Sequence, residues 1–277
     1  MEGVIVAKFG GSSLADSSYF IKVKEILMAD TRRRYVVPSA PGKRNSQDHK
    51  ITDLLYMCYQ LASHGINIDE VYSIISKRYE DICHELNLDI KIEEILVDIK
   101  MKIQEGATRD YTASRGEYLN AIILSQYLGF EFVDAKDLIL FDEEGKLDLE
   151  ETKRIAADKL SKVKQAVIPG FYGANKKGEI ITFSRGGSDI TGSIISTSVN
   201  SQLYENWTDV SGFYMADPKI VDNPKSIDTI TYKELRELSY MGAPVLHEES
   251  IFPIKSDGIP INIRNTNKPE DRGTMIV

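Results

Sequence analysis

The sequence predicts an α/β fold, a three-layer αβα sandwich built on a largely parallel central sheet. Three observations predict it. Short apolar runs alternate along the chain with segments of helical apolar spacing, the pattern of strands joined by crossover helices and covered on both faces. Two of the strand-like runs lead into glycine pairs, at Lys8-Phe9-Gly10-Gly11-Ser12-Ser13 and at Ser184-Arg185-Gly186-Gly187-Ser188-Asp189, where backbone N–H groups can approach an anion closely. The length, 277 residues, suffices to bury a large core as one broad domain or two tightly joined lobes.

Taken in order, Val4–Phe9 reads as a buried strand, and Asp16–Met28 as a helix with Phe20, Val23, Ile26 and Leu27 on one face. The basic cluster Arg32-Arg33-Arg34 ends a helix and leads into the strand Tyr35–Pro38. Residues 41–50 form a loop long enough to need a function or some mobility. Helical patterns follow at Ile51–Leu61, Val71–Leu86, Ile92–Ile103 and Ala113–Tyr127. Glu131–Val133 is a short strand, Glu150–Leu160 a helix, and Val163–Pro169 a strand closed by Gly170. A hairpin through Lys176-Lys177-Gly178 gives the strand Ile180–Phe183, and Ser188–Val199 is the next helix. A turn-rich region precedes the helix Thr231–Met241, and Ile259–Ile263 is a strand whose proline belongs at an edge.

Charge narrows the function classes. There are 34 Lys and Arg against 42 Asp and Glu, a net charge of -8, which disfavours a nucleic-acid backbone as partner. No apolar run approaches bilayer length and Glu2 argues against a secretory leader, so the expectation is a soluble, cytoplasmic protein without a membrane partner. Cys58 and Cys83 fall in helices without CxxC or Cys/His spacing and read as free thiols, and no metal site made by the protein is expected.

The chemistry suggested is phosphate handling. A strand delivers Lys8 to its end, where its ammonium can meet a nonbridging oxygen, with amides of Gly10 and Gly11 beside it. In the second junction Arg185 closes the strand and Asp189 lies one turn into the helix, so both can face one cleft; Asp189 also fits a plain helix-start role. In Thr112-Ala113-Ser114-Arg115-Gly116-Glu117, the helix-weakening Gly116 implies close approach by a ligand or another helix, which would set Glu117 against a cation; ordinary helix surface is the alternative. Trp207-Thr208-Asp209-Val210, Gly212-Phe213-Tyr214 and Ala216-Asp217-Pro218-Lys219 combine an aromatic platform, short polar groups and a lysine, which suits a nucleotide or a turn-rich surface. His247 reads as structural. No GxxxxGK[ST] run is present, so an ATP site here is not a P-loop.

Together these segments, with Ser39-Ala40-Pro41-Gly42, Ile51-Thr52-Asp53-Leu54-Leu55 and Arg264-Asn265-Thr266, occur in the order seen in aspartate kinases. The chain resembles that family's catalytic domain, within the amino acid kinase superfamily and its carbamate kinase-like fold, over essentially all of its length. The resemblance implies transfer of the ATP γ-phosphoryl group to the β-carboxylate of L-aspartate, giving 4-phospho-L-aspartate on the way to lysine, threonine and methionine, with Mg²⁺ travelling with ATP. It implies that Lys8 stabilises the moving phosphoryl group, that Asp189 organises the centre, and that Gly10, Gly11, Ser12 and Gly187 bind phosphate. Ser39, Thr52, Glu117, Arg185 and Ser188 would hold aspartate, with Glu117 on its α-ammonium and Arg185 on a carboxylate. Thr208, Asp209, Tyr214, Asp217 and Lys219 would lie on the nucleotide side.

By the same resemblance residues 1–200 approximate an acceptor-binding lobe and 201–277 a nucleotide-binding lobe, and a homodimer is expected. The small regulatory domains that usually follow in that family, and feedback through them, are not expected here. One departure matters: Gly242-Ala243-Pro244-Val245-Leu246-His247-Glu248 has Pro244 where the family usually has lysine, and Glu248 adds negative charge. Weakened ATP binding is the expectation, and a catalytically weak partner subunit or a kinase with another acceptor are the alternatives.

Overall fold

The computed structural model describes residues 3–216, 221–222, 224–240, 246 and 248–277. In chain order these form β1 (Ile5–Phe9), α1 (Ser17–Met28), β2 (Arg33–Pro38), α2 (Ile51–Ser63), α3 (Asp69–Glu85), α4 (Ile92–Gln104) and α5 (Arg109–Leu128). Then come β3 (Glu131–Phe132), β4 (Leu140–Phe141), α6 (Leu149–Ser161), β5 (Ala166–Val167), β6 (Tyr172–Asn175), β7 (Ile180–Thr182) and α7 (Gly187–Ser198). The chain closes with β8 (Leu203–Thr208), β9 (Thr229–Ile230), α8 (Tyr232–Tyr240), α9 (Glu248–Lys255), β10 (Ile261–Asn265) and β11 (Thr274–Ile276). Local chemistry sets several boundaries. The Asp16 carboxylate accepts from the Ser18 and Tyr19 amides to start α1, and Thr108 and Asp148 cap α5 and α6 in the same way. Gly129, at φ 73°, ends α5 in the left-handed conformation.

The main sheet runs β3-β5-β2-β1-β8-β10-β11-β9. Its pairs are parallel except β10 with β11. Alternation along β1 and β8 divides the core in two. Ala7, Phe9 and Trp207 face one side with residues of α1–α5, whereas Val6 and Tyr204 face the other with Ile194 and Ile195 of α7 and residues of α6 and α9. This is the three-layer sandwich expected. Strands β2, β5 and β3 build outward on one side of β1, and β8 returns on its other side. That reversal opens a crevice beyond the carboxyl ends of β1 and β8, the usual position of a ligand in an open α/β sheet.

Two expectations are not met. Trp207 is no exposed platform: it is 1% exposed, stacked on Phe9, and its indole N–H donates to Glu205 at 2.9 Å. Glu205 is in turn held by a two-pronged Arg33 at 2.7 and 3.0 Å, which buries the guanidinium of the first residue of β2 in the core. Strand β10 lies inside the sheet between β8 and β11; Pro260 escapes the ladder penalty by preceding the strand, where its carbonyl accepts from Tyr204. Strand β4, in the smaller sheet β4-β6-β7, went unanticipated because two residues carry no readable period, whereas β6 and β7 are the two arms of the expected hairpin.

The long loop after β2 is tied down from below. The Arg78 guanidinium, 2% exposed on α3, donates to the carbonyls of Gly42 at 3.1 Å and Ala15 at 3.3 Å and pairs with Asp48. No helix among the described residues is long and apolar enough to cross a membrane.

Candidate active site

Two distant segments meet at the crevice. Lys8 leaves β1 toward α7, and its Nζ lies 2.7 Å from Asp189 Oδ1. Lys8 is 7% exposed. The first turn of α7 presents Gly187, Ser188 and Asp189, after Gly186 at φ 56° has turned the chain into the helix. Its opening N–H groups have no intrahelical acceptor and point to the same place as Lys8, which makes the end of α7 favourable for anions.

A cleft of about 310 Å³ opens here, lined by Lys8, Ser39, Thr52, Glu117, Arg185, Gly187, Ser188 and Asp189. Eight residues singled out from sequence therefore share one wall-to-wall site. Thr52 comes from the first turn of α2, Glu117 from α5, and Ser39 from the end of β2, where its carbonyl accepts from the Asn120 amide at 2.6 Å. Gly116 is needed for that junction: a Cβ there would stand 2.8 Å from the Ala40 Cβ and 3.3 Å from Leu55. Of the two explanations weighed for Gly116, close packing of another element is the one observed.

Glu117 is the most unusual group in the cleft. It is 5% exposed, and its Oε2 has no hydrogen-bond partner. Burial pushes its carboxyl up to about 8, against the opposing pull of the backbone amides of Ala40 and Glu117 and of the Arg115 cation. Arg185 is exposed at the mouth of the same cleft. A buried carboxyl with one oxygen unpartnered and an exposed cation facing one space suit a ligand bearing both charges, such as a free amino acid.

The glycine loop differs in part from expectation. The Gly10 amide donates to the Trp207 carbonyl at 2.9 Å, continuing the β1–β8 ladder by one residue, so it is not a free anion donor. A Cβ at Gly10 would stand 3.5 Å from the Trp207 carbonyl oxygen and 3.7 Å from Lys8 Nζ, ordinary contact distances, so space alone does not require glycine there. Gly11 and Ser12 open a one-turn 3-10 helix, Gly11–Leu14, whose first amides lack intrahelical partners. Gly11 is pressed against the loop after β2: a Cβ would lie 2.8 Å from the Ala40 carbonyl oxygen, and the Gly42 amide donates to Gly11 at 2.9 Å. Gly11→Ala is expected to cost about 1–3 kcal/mol by forcing these two backbones apart, read as a lower urea midpoint with an unchanged m-value.

A second cleft, about 560 Å³, lies past the end of β8 and includes Asp209, Tyr214, Asn265 and Lys268. Thr208 ends β8, its hydroxyl donating to Asp209 at 3.1 Å. Asp217, Lys219 and Pro244, together with His247, lie outside the described residues, as does the side chain of Glu248.

Three cleft residues, and a fourth behind them, escaped the sequence reading. Tyr56 stands one helical turn after Thr52, under the Arg109 guanidinium at 4.4 Å, and the i, i+4 spacing from Thr52 is the signal that would have found it. Ser184 and Phe171 also line the cleft. Phe171 sits at φ 81°, a costly conformation for a bulky residue, held by its backbone N–H donating to the Thr191 hydroxyl oxygen at 3.1 Å. Asn206 is the fourth residue, reaching Asp189 Oδ1 at 2.8 Å from β8 behind the cleft.

A model of the amino acid kinase family matches residues 3–265. The chain belongs to that family. It is 40% identical to aspartokinase 3 of Bacillus subtilis (strain 168) over 286 residues, covering 98% of this chain and 63% of the relative. Among solved structures, Clostridium acetobutylicum aspartate kinase superposes with a TM-score of 0.95 at 58% identity, covering 99% of this chain and 62% of that one. Escherichia coli aspartokinase III in complex with aspartate and ADP gives a TM-score of 0.85 at 26% identity, covering 99% of this chain and 64% of that one. The chain thus spans less than two thirds of the length of each of these relatives.

Proposed function

We propose that this chain is the catalytic unit of an ATP-dependent aspartate kinase. A β-carboxylate oxygen of L-aspartate attacks the γ-phosphorus of ATP, the bond to the β,γ-bridging oxygen breaks, and 4-phospho-L-aspartate and ADP result. The observation that carries the reading is the buried Glu117 carboxyl, its Oε2 without a partner, across one cleft from Lys8 and Arg185. Its support is the likeness to three aspartate kinases, one of them solved with aspartate and ADP.

In this reading Glu117 takes the α-ammonium of aspartate, Arg185 a carboxylate, and Ser39, Thr52 and Ser188 fix the acceptor by hydroxyl contacts. The nucleophile is already anionic near neutral pH, so no general base is required and placement dominates. Lys8 neutralises charge growing on the phosphoryl oxygens, with the amides of Gly11, Ser12 and Gly187 beside it, and Asp189 orients Lys8. Thr208, Asp209 and Tyr214 face ribose and base, and Asp217 and Lys219, outside the described residues, are assigned to nucleotide binding by the family resemblance alone. Mg²⁺ bound to ATP would screen the charge of its phosphates. The described residues contain no cluster of three potential metal ligands, and the single Asp189 carboxylate beside the phosphate loops fits an ion held mainly by phosphate and water. We assign residues 1–200 to the acceptor and 201–277 to the nucleotide. We further propose a cytoplasmic homodimer serving synthesis of lysine, threonine and methionine.

Turnover with L-aspartate and Mg-ATP, with the acyl phosphate trapped as its hydroxamate, tests the reading. Product is expected with aspartate and not with glutamate. ADP release without hydroxamate, or equal turnover of glutamate, would overturn the acceptor assignment.

A further inference from the structure

Asn206 stands directly opposite Lys8 in the β1–β8 register and, like Lys8, faces α7. It is 3% exposed. Its Nδ2 donates to Asp189 Oδ1 at 2.8 Å, and its Oδ1 accepts from Lys8 Nζ at 3.5 Å. The same Asp189 oxygen receives the Lys8 ammonium at 2.7 Å. One amide therefore touches both members of the ion pair. Charge fixes its orientation, because turned over it would set an NH₂ against an ammonium and a carbonyl against a carboxylate. On the β10 side its register partner is Ile263, so nothing in the sheet itself calls for a polar side chain at this buried position.

A bare Lys–Asp pair suits phosphoryl transfer poorly. The more tightly Asp189 holds the ammonium, the less it can follow charge onto phosphate. Once the ammonium turns to phosphate, a half-buried carboxylate is left without a partner. A neutral donor on Asp189 and a neutral acceptor on Lys8 meet both demands without adding charge. We propose that Asn206 is a positioning residue for phosphoryl transfer, its amide holding the Asp189 carboxylate oriented while Lys8 exchanges that carboxylate for the moving phosphoryl group. The inference rests on reading the cleft as a phosphotransferase site, and not on aspartate being the acceptor.

Two variants of the whole chain test it. Asn206→Leu keeps the volume and removes both contacts; kcat is expected to fall about ten- to a hundredfold while both KM values stay within about threefold. Asn206→Asp adds a pH signature that a merely structural role would not produce. Ionised, the introduced carboxylate repels Asp189 and competes for Lys8. Protonated, it donates O–H to Asp189 and accepts from Lys8 as the amide does, so kcat at saturating substrates should recover as pH falls, unlike that of the wild type. The other groups facing this point are Lys8, Asp189 and the Tyr204 phenol, whose O–H donates to the Asp189 carbonyl at 3.3 Å. Burial raises that phenol well above its ordinary value, so it stays protonated across the range.

Wild-type kcat in Asn206→Leu, or no acid recovery in Asn206→Asp, would overturn the proposal; should the leucine variant fail to fold, the aspartate variant decides. If the wild type turns over another acceptor instead of aspartate, the acceptor assignment falls, and the same kcat ratios are read with that acceptor. A crystal structure of Asn206→Leu supplies a readout free of turnover: a displaced Asp189 carboxylate supports the role, and an unmoved one overturns it.

Discussion

Replacing Lys8 with methionine is expected to lower kcat by about a thousandfold or more, the scale of losing a preorganised charge stabiliser in a site partly shielded from water. The side chain is of similar length, so the cleft keeps its shape while the ammonium is lost. Asp189 then loses its ion partner, but it retains the Asn206 amide and its side chain is 21% exposed. The stability cost should therefore stay at about 1–3 kcal/mol. Lys8→Arg should not restore activity, because a planar guanidinium cannot replace a compact ammonium between Asp189 and phosphate. Parallel ADP-release and hydroxamate assays, with urea unfolding as the control, read both effects. If Lys8→Met kept a tenth of wild-type kcat while folded, Lys8 would not be the group that stabilises phosphoryl transfer.

Much of this site could be read in the sequence because backbone geometry and charge are local. A strand ending in Lys8 before a glycine pair, and Asp189 a turn into a helix, each announce where a side chain must emerge. Their meeting depends on topology: alternating strands and helices already implied a largely parallel sheet, and the observed strand order puts the crevice at its carboxyl edge. What stayed hidden depends on register. In Tyr204-Glu205-Asn206-Trp207, period-2 alternation sends Tyr204 and Asn206 to α7 and Glu205 and Trp207 to the opposite core. Without the register, Trp207 looks like a platform and Asn206 like filler. Nor could the Gly10 amide be known to be committed until β8 was seen to run beside it. Phe171 carries no local signal, since bulky aromatics rarely adopt positive φ. The Thr191 bond and the Phe183 amide on the Phe171 carbonyl impose it from distant parts of the chain.

The KM for aspartate should fall as pH rises toward about 8 and level off above it, because the group that must meet the α-ammonium is protonated in the empty cleft. Burial raises the Glu117 carboxyl from an ordinary 4.5 to about 8, so near neutrality binding an ammonium has to expel a proton. Each pH unit below that value should raise KM by up to about tenfold, the limit for one coupled proton. Stability runs the other way. Between 4.5 and about 8 the folded chain holds a proton at Glu117 that the unfolded chain has released. This contribution to stability is therefore fully present below 4.5 and is lost as pH rises through about 8. Glu117→Gln keeps the shape and removes both effects. Its KM for aspartate should rise about a hundredfold at pH 8, lose its pH dependence, and leave KM for ATP nearly unchanged. Calorimetry in buffers of different ionisation enthalpy should show close to one proton released per aspartate bound near neutral pH by the wild type and none by the variant. Equal proton release by both proteins would place the ammonium site elsewhere and detach Glu117 from acceptor recognition.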